Sequence, residues 1–447
     1  MRTRSVVLAL ALLSLPYCTC TLTSGQSNPK GKPASPSSGH GKIAHTPVKL
    51  TASDGKKVDE FGYSVAISGK TIIVGAPYAT VGSTYAQGAA YVFEKSTGNS
   101  VIYKAKLTAS DGEGNAFFGS SVSISGDTVI IGADGANVAS RMHQGAAYVF
   151  IKPEKGWRNV TETAKLIATD GAALSYFGSS VSINDDTVLI GSDGATVGAN
   201  KFQGAVYVFV KPVKGWTGAP APQAKLTAGD GMKEDQLGYA VEVSGDTVVA
   251  GARSATVNGH PRQGATYVFV KPATGWKDMI QTAKLSDREG TGDDRFGSAV
   301  SIDGENIAVG SPGSHSRGSV HVFVKPVNGW VSTQVSAKLV ASDGAPGDQL
   351  GIAVSIKGNT LWASAPSATV GSNTGEGALY MFAKSSGGWM DSAQTSKVSV
   401  PNGEAKDAFG SSVSTTNDTL VSGAPKAKIG SHQYQGAAFL FQQPASR

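Results

Sequence analysis

An all-β fold, a seven-bladed β-propeller of four-stranded antiparallel blades, follows from three observations on the 447-residue sequence. A Phe-Gly step recurs at Phe61, Phe118, Phe177, Phe296 and Phe409, with Leu237 and Leu350 in the aromatic place of two further copies. Across the seven copies, 348 residues separate Gly62 from Gly410 in six intervals, a mean period of 58 with spacings of 54 to 60. Each unit also holds four short apolar runs parted by Gly- and Asp-rich turns. A period this long suits four strands and their turns, close to propeller blades and longer than helical repeats.

The second unit shows the order of elements. Phe118 to Ser125 alternates Val122 and Ile124 with Ser121 and Ser123, the period of a strand, here strand a. The Ser125-Gly126 turn leads as a tight hairpin into strand b, Asp127 to Gly132. After a variable loop come strand c, Gly145 to Phe150, then Lys152-Pro153 and Gly156-Trp157, and strand d, Ala164 to Ile167. The Asp170-Gly171 turn returns the chain to Phe177-Gly178.

The two ends of the array fit each other. The last unit stops at strand c, Ala437 to Phe441, whereas Val48-Lys49-Leu50 ahead of the first unit matches the strand-d residues Ala105-Lys106-Leu107. The N-terminal strand d is therefore expected to complete the last blade, which removes exposed terminal faces. Residues 47–442 then form one closed domain, expected to be monomeric, with 443–447 as a short tail.

Composition narrows the function. With 57 glycines and 16% charged residues, the chain suits many tight turns between half-buried strands. Of the net charge of +6, Arg2, Arg4, Lys30, Lys32 and Lys42 supply five before residue 47, where there is no acid. The repeat region is near neutral, so nucleic acid is not an expected partner. Residues 1–25 carry Arg2 and Arg4, an apolar run from Val6 to Leu15 and then small residues, the pattern of a secretory signal. The expected location is extracellular or at the cell surface. Residues 26–46, rich in Ser, Pro, Gly and Lys, read as a tether. Cys18 and Cys20, the only cysteines, fall in the signal. Their neighbours fit a lipidation site poorly, and a lipid anchor there is the only membrane contact the sequence allows for. The mature fold has no cysteine left for a disulfide.

Phe61-Gly62, Gly75-Ala76-Pro77, Gly310-Ser311-Pro312, Gly423-Ala424-Pro425 and the aromatic-Val-Phe strands, repeated over residues 47–442, resemble FG-GAP repeats. Those repeats form the blades of the integrin alpha-subunit head, and the closer likeness is to the short variant of exported microbial proteins. The resemblance implies a propeller with roles in adhesion or ligand recognition. Integrin-type blades hold calcium in an Asp-rich a-to-b loop. Here those turns, such as Ser68-Gly69-Lys70, Ser125-Gly126-Asp127 and Lys357-Gly358-Asn359, have too few acids for a cation that wants six to eight oxygens. No calcium site is carried over and no cofactor is expected.

Candidate chemistry sits in the loops. Asp54 with Asp59, Asp230 with Asp235, Asp287 with Asp294, Asp343 with Asp348, and Asp407 recur in the d-to-a loops. Such repetition favours turn-forming carboxylates over a ring of weak divalent-cation sites. The b-to-c loops vary most and hold Arg141, His143, Lys201, Phe202, Arg253, His260, Arg262, His315, Arg317, His432 and Tyr434, the candidate ligand-binding residues. Arg, His and aromatic groups suit anionic or hydroxyl-rich ligands. Trp157, Trp216, Trp276, Trp330 and Trp389 each follow a Gly, a placement that favours an inter-blade staple over a sugar-stacking platform.

No local catalytic motif is found. Gly69-Lys70-Thr71 ends like a phosphate loop, but Ser64 stands where the first Gly is required. The expected function is a secreted, non-catalytic module that binds a glycan or an extracellular protein through the b-to-c and d-to-a loop face. The alternatives are a polysaccharide lyase or hydrolase with a composite site at the channel mouth, using His143, His260 or His315, and an adhesion or assembly subunit docking to another exported protein.

Overall fold

The computed structural model describes residues 46–96, 100–332 and 335–443, which belong to one compact unit. The segment read as a secretory signal, both cysteines and nearly all of the stretch read as a tether lie outside the described residues, as do 444–447. The described chain forms seven antiparallel sheets, one per blade. In the second blade, strands a to d are Ser121–Ser125, Thr128–Ala133, Ala146–Ile151 and Ala164–Leu166. The N-terminal strand Val48–Leu50 pairs antiparallel with the last c strand, Ala437–Gln442, with Val48 opposite Leu440. Gln443 still belongs to the fold, since its N–H donates to the Asp418 carbonyl and its side-chain oxygen accepts Trp362 Nε1–H at 3.0 Å.

Two blades depart from four strands. Met279–Ile280 adds in parallel to the third blade's strand d, Ala224–Thr227, and Ser392–Ala393 to the fifth blade's, Ala337–Val340. An edge strand offers unpaired N–H and C=O groups, and these c-to-d segments cover them. Elsewhere a side chain does so. Asn159 Oδ1 accepts Lys106 N–H at 2.9 Å, and Ser332 Oγ accepts Lys284 N–H at 3.1 Å.

The Phe-Gly step has a packing reason. Phe118 is fully buried, edge-on to Tyr148 and Phe150 of its own strand c at centroid distances of 5.5 and 5.9 Å. Gly119 then turns with φ of 94°, a conformation that side chains oppose. Its carbonyl oxygen lies where a Cβ on Gly75 of the preceding blade would stand. Two glycines thus let adjacent blades touch backbone to backbone. Strand a begins after this step in most blades. In the third and fourth it begins at Phe177 and Leu237, through a bulge.

The a strands neighbour one another around an axis, the seventh against the first. Serine hydroxyls join them. Ser64 Oγ donates to Gly119 O, Ser121 Oγ to Gly178 O, Ser180 Oγ to Gly238 O and Ser412 Oγ to Gly62 O, at 2.7 to 2.9 Å. One pleat further, Ser123 accepts Ile183 N–H, Ser182 accepts Val243 N–H, Ser301 accepts Ile356 N–H and Ser414 accepts Ile67 N–H. Each bond ties one blade to the next. The outer wall is held by the tryptophans, all five buried in apolar clusters. Trp157 packs in one cluster with Ala90 and Val92 of the first blade and Val129 and Phe150 of its own. With 3 to 6% exposure they are staples, and none can present a face to a sugar.

Candidate functional site

The b-to-c and d-to-a loops lie side by side at one end of the axis. Backbone bonds link each pair across a blade boundary. Phe117 N–H donates to Ala86 O and Phe118 N–H to Gln87 O, and the same ladder recurs around the ring.

The recurring acids of these loops are engaged locally. Asp54 accepts Tyr91 O–H at 2.9 Å and Lys106 Nζ at 2.6 Å, while Lys106 also lies over the Tyr91 ring. Asp111, Asp170 and Asp230 repeat the arrangement with Tyr148 and Lys165, Tyr207 and Lys225, and Tyr267 and Lys284. Burial raises the Asp54 carboxyl, but the Lys106 and Tyr91 bonds outweigh it and hold the group below its ordinary range. The second acid of each loop caps a turn: Asp59 accepts Lys56 N–H, Asp235 accepts Met232 N–H and Asp348 accepts Ala345 N–H, at 2.7 to 2.8 Å. In the fifth blade His321 replaces the tyrosine, and burial lowers it to about 4.

The candidate ligand-binding residues do not converge on one spot. Arg141, Lys201, His260, His315 with Arg317, and His432 with Tyr434 are exposed on five separate loops. Arg262 pairs with Asp293 at 2.5 Å and shares with Phe202 an open groove of about 980 Å³. His315 and Arg317 line a second groove of about 190 Å³, and Tyr434 a third of about 270 Å³ beside Glu60, Lys406 and Lys426. Several of these side chains already serve the loops. Arg141 Nη1 donates to Gln144, and His432 Nδ1 meets Gln435 at 3.1 Å.

Two candidates, Arg253 and His143, reach a different place. Arg253 stacks on Tyr239 with its guanidinium carbon 3.6 Å from the ring centroid, and its Nε donates to Gln236. Tyr239 follows the Gly of the fourth blade, as Tyr63 does in the first, so both stand at the start of a strands that encircle the axis. Tyr63, 43% exposed, lies within electrostatic reach of Tyr239, Asp134, Tyr78 and Glu60, residues of the first, second and fourth blades.

Sequence reading missed Asp134 and Asp193. Each follows strand b and carries a buried Oδ1, with a serine hydroxyl hydrogen-bonded to the carboxylate, Ser120 for Asp134 and Ser179 for Asp193. Burial raises both, Asp193 to about 6, with Asp134 pushing it further up and Arg253 drawing it down. His143 lies within electrostatic reach of Asp134, its ring 6.2 Å from that of Tyr176. Arg253 also shares a cavity of about 290 Å³ with Tyr239, Arg295 and Gln349. The mouth is acidic over the second and third blades and basic over the fourth and fifth. A signal was present in the repeats themselves. The position after strand b is Pro77, Pro312, Pro366 and Pro425 in four blades, but Asp134, Asp193 and Arg253 in three consecutive ones.

Fold and site together define a repeat propeller that carries variable, polar loops on a rigid sheet scaffold. The particular family follows from comparison. The FG-GAP repeat model matches residues 46–93, 103–150, 160–209, 221–269, 279–323, 333–382 and 393–441, and the chain belongs to that family. Such propellers are commonly binding modules, generally non-catalytic and typical of extracellular proteins. No curated protein matches the chain. Among the described residues, no helix is long and apolar enough to cross a membrane.

Proposed function

We propose that this protein is a secreted or cell-surface binding module that recognises a glycan through its loop face, centred on the axial mouth. The observation that carries the reading is the pair of carboxylates with buried oxygens, Asp134 and Asp193, close enough to perturb each other and near Arg253 stacked on Tyr239. Each already takes a serine hydroxyl, and the acceptor capacity left on a carboxylate suits a ligand rich in hydroxyl donors. Arg253 and Arg295 suit an acidic group on the same ligand, and the tyrosine rings suit a sugar face. The rim candidates from Arg141 to Tyr434 would then widen the footprint rather than form its centre.

The test is binding of the full chain to an array of neutral and anionic glycans at two salt concentrations, with Arg253→Ala and Asp193→Asn alongside. A salt-resistant hit weakened by both substitutions supports the mouth. A hit abolished by salt and indifferent to both assigns binding to loose capture by the basic rim. A silent array moves the reading to an extracellular protein ligand, as for an adhesion or assembly subunit.

One observation favours a polysaccharide-acting enzyme as a second reading. Two neighbouring carboxyls, one pushed up to about 6, match the acid and base pairing that glycoside cleavage uses. Release of reducing ends or unsaturated products from a polymer panel, lost in Asp193→Asn, would establish it.

A further inference from the structure

Six of the seven b-to-c loops have twelve residues between their strands, as 134–145 does in the second blade, and share a tip bridge such as Val138 to Arg141. The fifth has seven, 312–318, with a single 3-10 turn at Ser314–Ser316. In the six long loops the residue before the glycine ahead of strand c is a glutamine or, in the sixth, Glu376. Its side chain fills the space over a glycine of the next d-to-a turn. A Cβ on Gly171 would meet Gln144 at 2.5 Å, and one on Gly403 would meet Glu376 at 2.6 Å. Gln144, Gln203 and Gln435 also donate to the turn carbonyls of Ala168, Ala228 and Ala52. In the fifth loop Arg317 holds that place, and a Cβ on the matching Gly344 would meet only Ala341 of its own turn. The short loop and the absent glutamine leave a cavity of about 190 Å³ between the fifth and sixth blades. Buried Leu350, Ala365 and Tyr380 give it apolar walls, and Arg317, Lys338 and His315 line its polar side. Arg317 is exposed, and among the described residues its guanidinium has no hydrogen bond or ion pair. Lys338 stands 3.5 Å from Asp287, against 2.5 to 2.6 Å in the equivalent lysine pairs, in the one blade where His321 replaces the tyrosine. The acid in the lining, Asp348, caps its own turn through Ala345 N–H.

We propose that this cavity is a subsite for one carboxylate-bearing sugar unit, a hexuronate, which deepens the glycan reading above and rests on it. A guanidinium without a partner matches a carboxylate through two parallel hydrogen bonds, and Lys338 adds a second positive charge beside it. The apolar walls suit the C–H face of a sugar ring. Its hydroxyls find acceptors in Asp348 and in the Ala341 carbonyl, which lacks the glutamine amide its counterparts accept. The volume equals that of about six waters, the scale of a single ring rather than a chain. Loop length and residue type thus depart from the repeat at the same boundary, and both departures open one space.

Calorimetric titration of the full chain with sodium glucuronate, glucose and inorganic phosphate tests the proposal. Saturable binding of glucuronate is expected near about 1 mM, with glucose and phosphate each about tenfold weaker or more. Arg317→Gln restores the residue of the other blades and should fold, while its glucuronate affinity falls about tenfold. Arg253→Ala, at the mouth, should leave that affinity unchanged. No saturation by glucuronate up to about 10 mM, equal affinity for glucose, or binding untouched by Arg317→Gln overturns the proposal. Phosphate bound as tightly as glucuronate makes the cavity a plain anion site and overturns the sugar assignment. Binding lost in Arg253→Ala but not in Arg317→Gln places the acidic sugar at the mouth, which overturns the subsite and leaves the glycan reading standing. A silent glycan array beside Arg317-dependent glucuronate binding does the reverse. Should Arg317→Gln fail to fold, Lys338→Gln is judged by the same outcomes.

Discussion

The two ends of the axis are built from the same seven strands and differ in how far they follow the repeat. At the hairpin end, serines at equivalent positions tie successive blades together, and Ala66 and Glu242 break the pattern. At the loop end, three consecutive blades replace a repeated proline with Asp134, Asp193 and Arg253, and two of these bring buried carboxylate oxygens that burial holds above the ordinary range. Residues that repeat in every blade hold blades together, while Glu242, Asp134, Asp193 and Arg253 interrupt the repeat with charge the fold does not need. The same division separates the two kinds of loop acid. Asp54 and its equivalents are consumed by tyrosine and lysine, whereas Asp193 is met by the Ser179 hydroxyl.

That contrast can be broken most forcefully at a repeated glycine. Gly75→Val places side-chain carbons on the Gly119 carbonyl of the next blade. A loss of about 3 kcal/mol or more, or no soluble folded protein, is expected by denaturant melt. Glu242→Gln should act in the opposite direction. The unfolded glutamate ionises near its ordinary 4.5 while the folded one resists to about 7, so unfolding is favoured increasingly as pH rises between those values. The variant should match the unaltered protein at pH 4 and exceed it by roughly 2 kcal/mol at pH 8. A gain already present at pH 4 would refute the assignment.

Smaller effects sharpen the loop end. Arg253→Ala should lower glycan affinity about tenfold, or about 1.4 kcal/mol, while the melt moves only slightly. Asp193→Asn should weaken binding and raise the melting temperature at pH 7 but not at pH 4, since its folded carboxyl is raised from 3.8 to about 6. At the rim, His260→Ala should leave affinity within about twofold and stability within about 0.5 kcal/mol. A larger loss of binding there would shift the site from the mouth to the rim.

Much of the architecture was legible because period and turn chemistry are local. Phe118-Gly119, the Ser125-Gly126 turn and the unmatched Val48-Lys49-Leu50 strand declare blade, hairpin and sheet partner without knowledge of the fold. The tryptophan staples were readable from their regular place. The fifth, parallel strands at Met279–Ile280 and Ser392–Ala393 were not, because they answer an edge on another blade rather than any pattern of their own. The site was legible only in part. Arg253 and His143 were found as unusual residues in variable loops, but equal weight fell on rim residues such as Arg141, bonded within its own loop, and Arg262, paired with the adjacent one. Asp134 and Asp193 were passed over because an Asp-Gly pair reads as a turn.

By itself the sequence determined that seven like units form a β-propeller, which residues face inward and that the array had a spare strand for its last sheet, since strand periodicity and glycine placement act over a few residues. Only the tertiary structure decided which groups each polar side chain faces. Glu242 accepts Ile302 N–H of the next blade, and Asp193 comes within electrostatic reach of Asp134 and Arg253, across blade boundaries. Whether a carboxylate is a turn, an ion pair or a free acceptor depends on groups more than fifty residues away in the chain, brought near it by the circular packing of the blades.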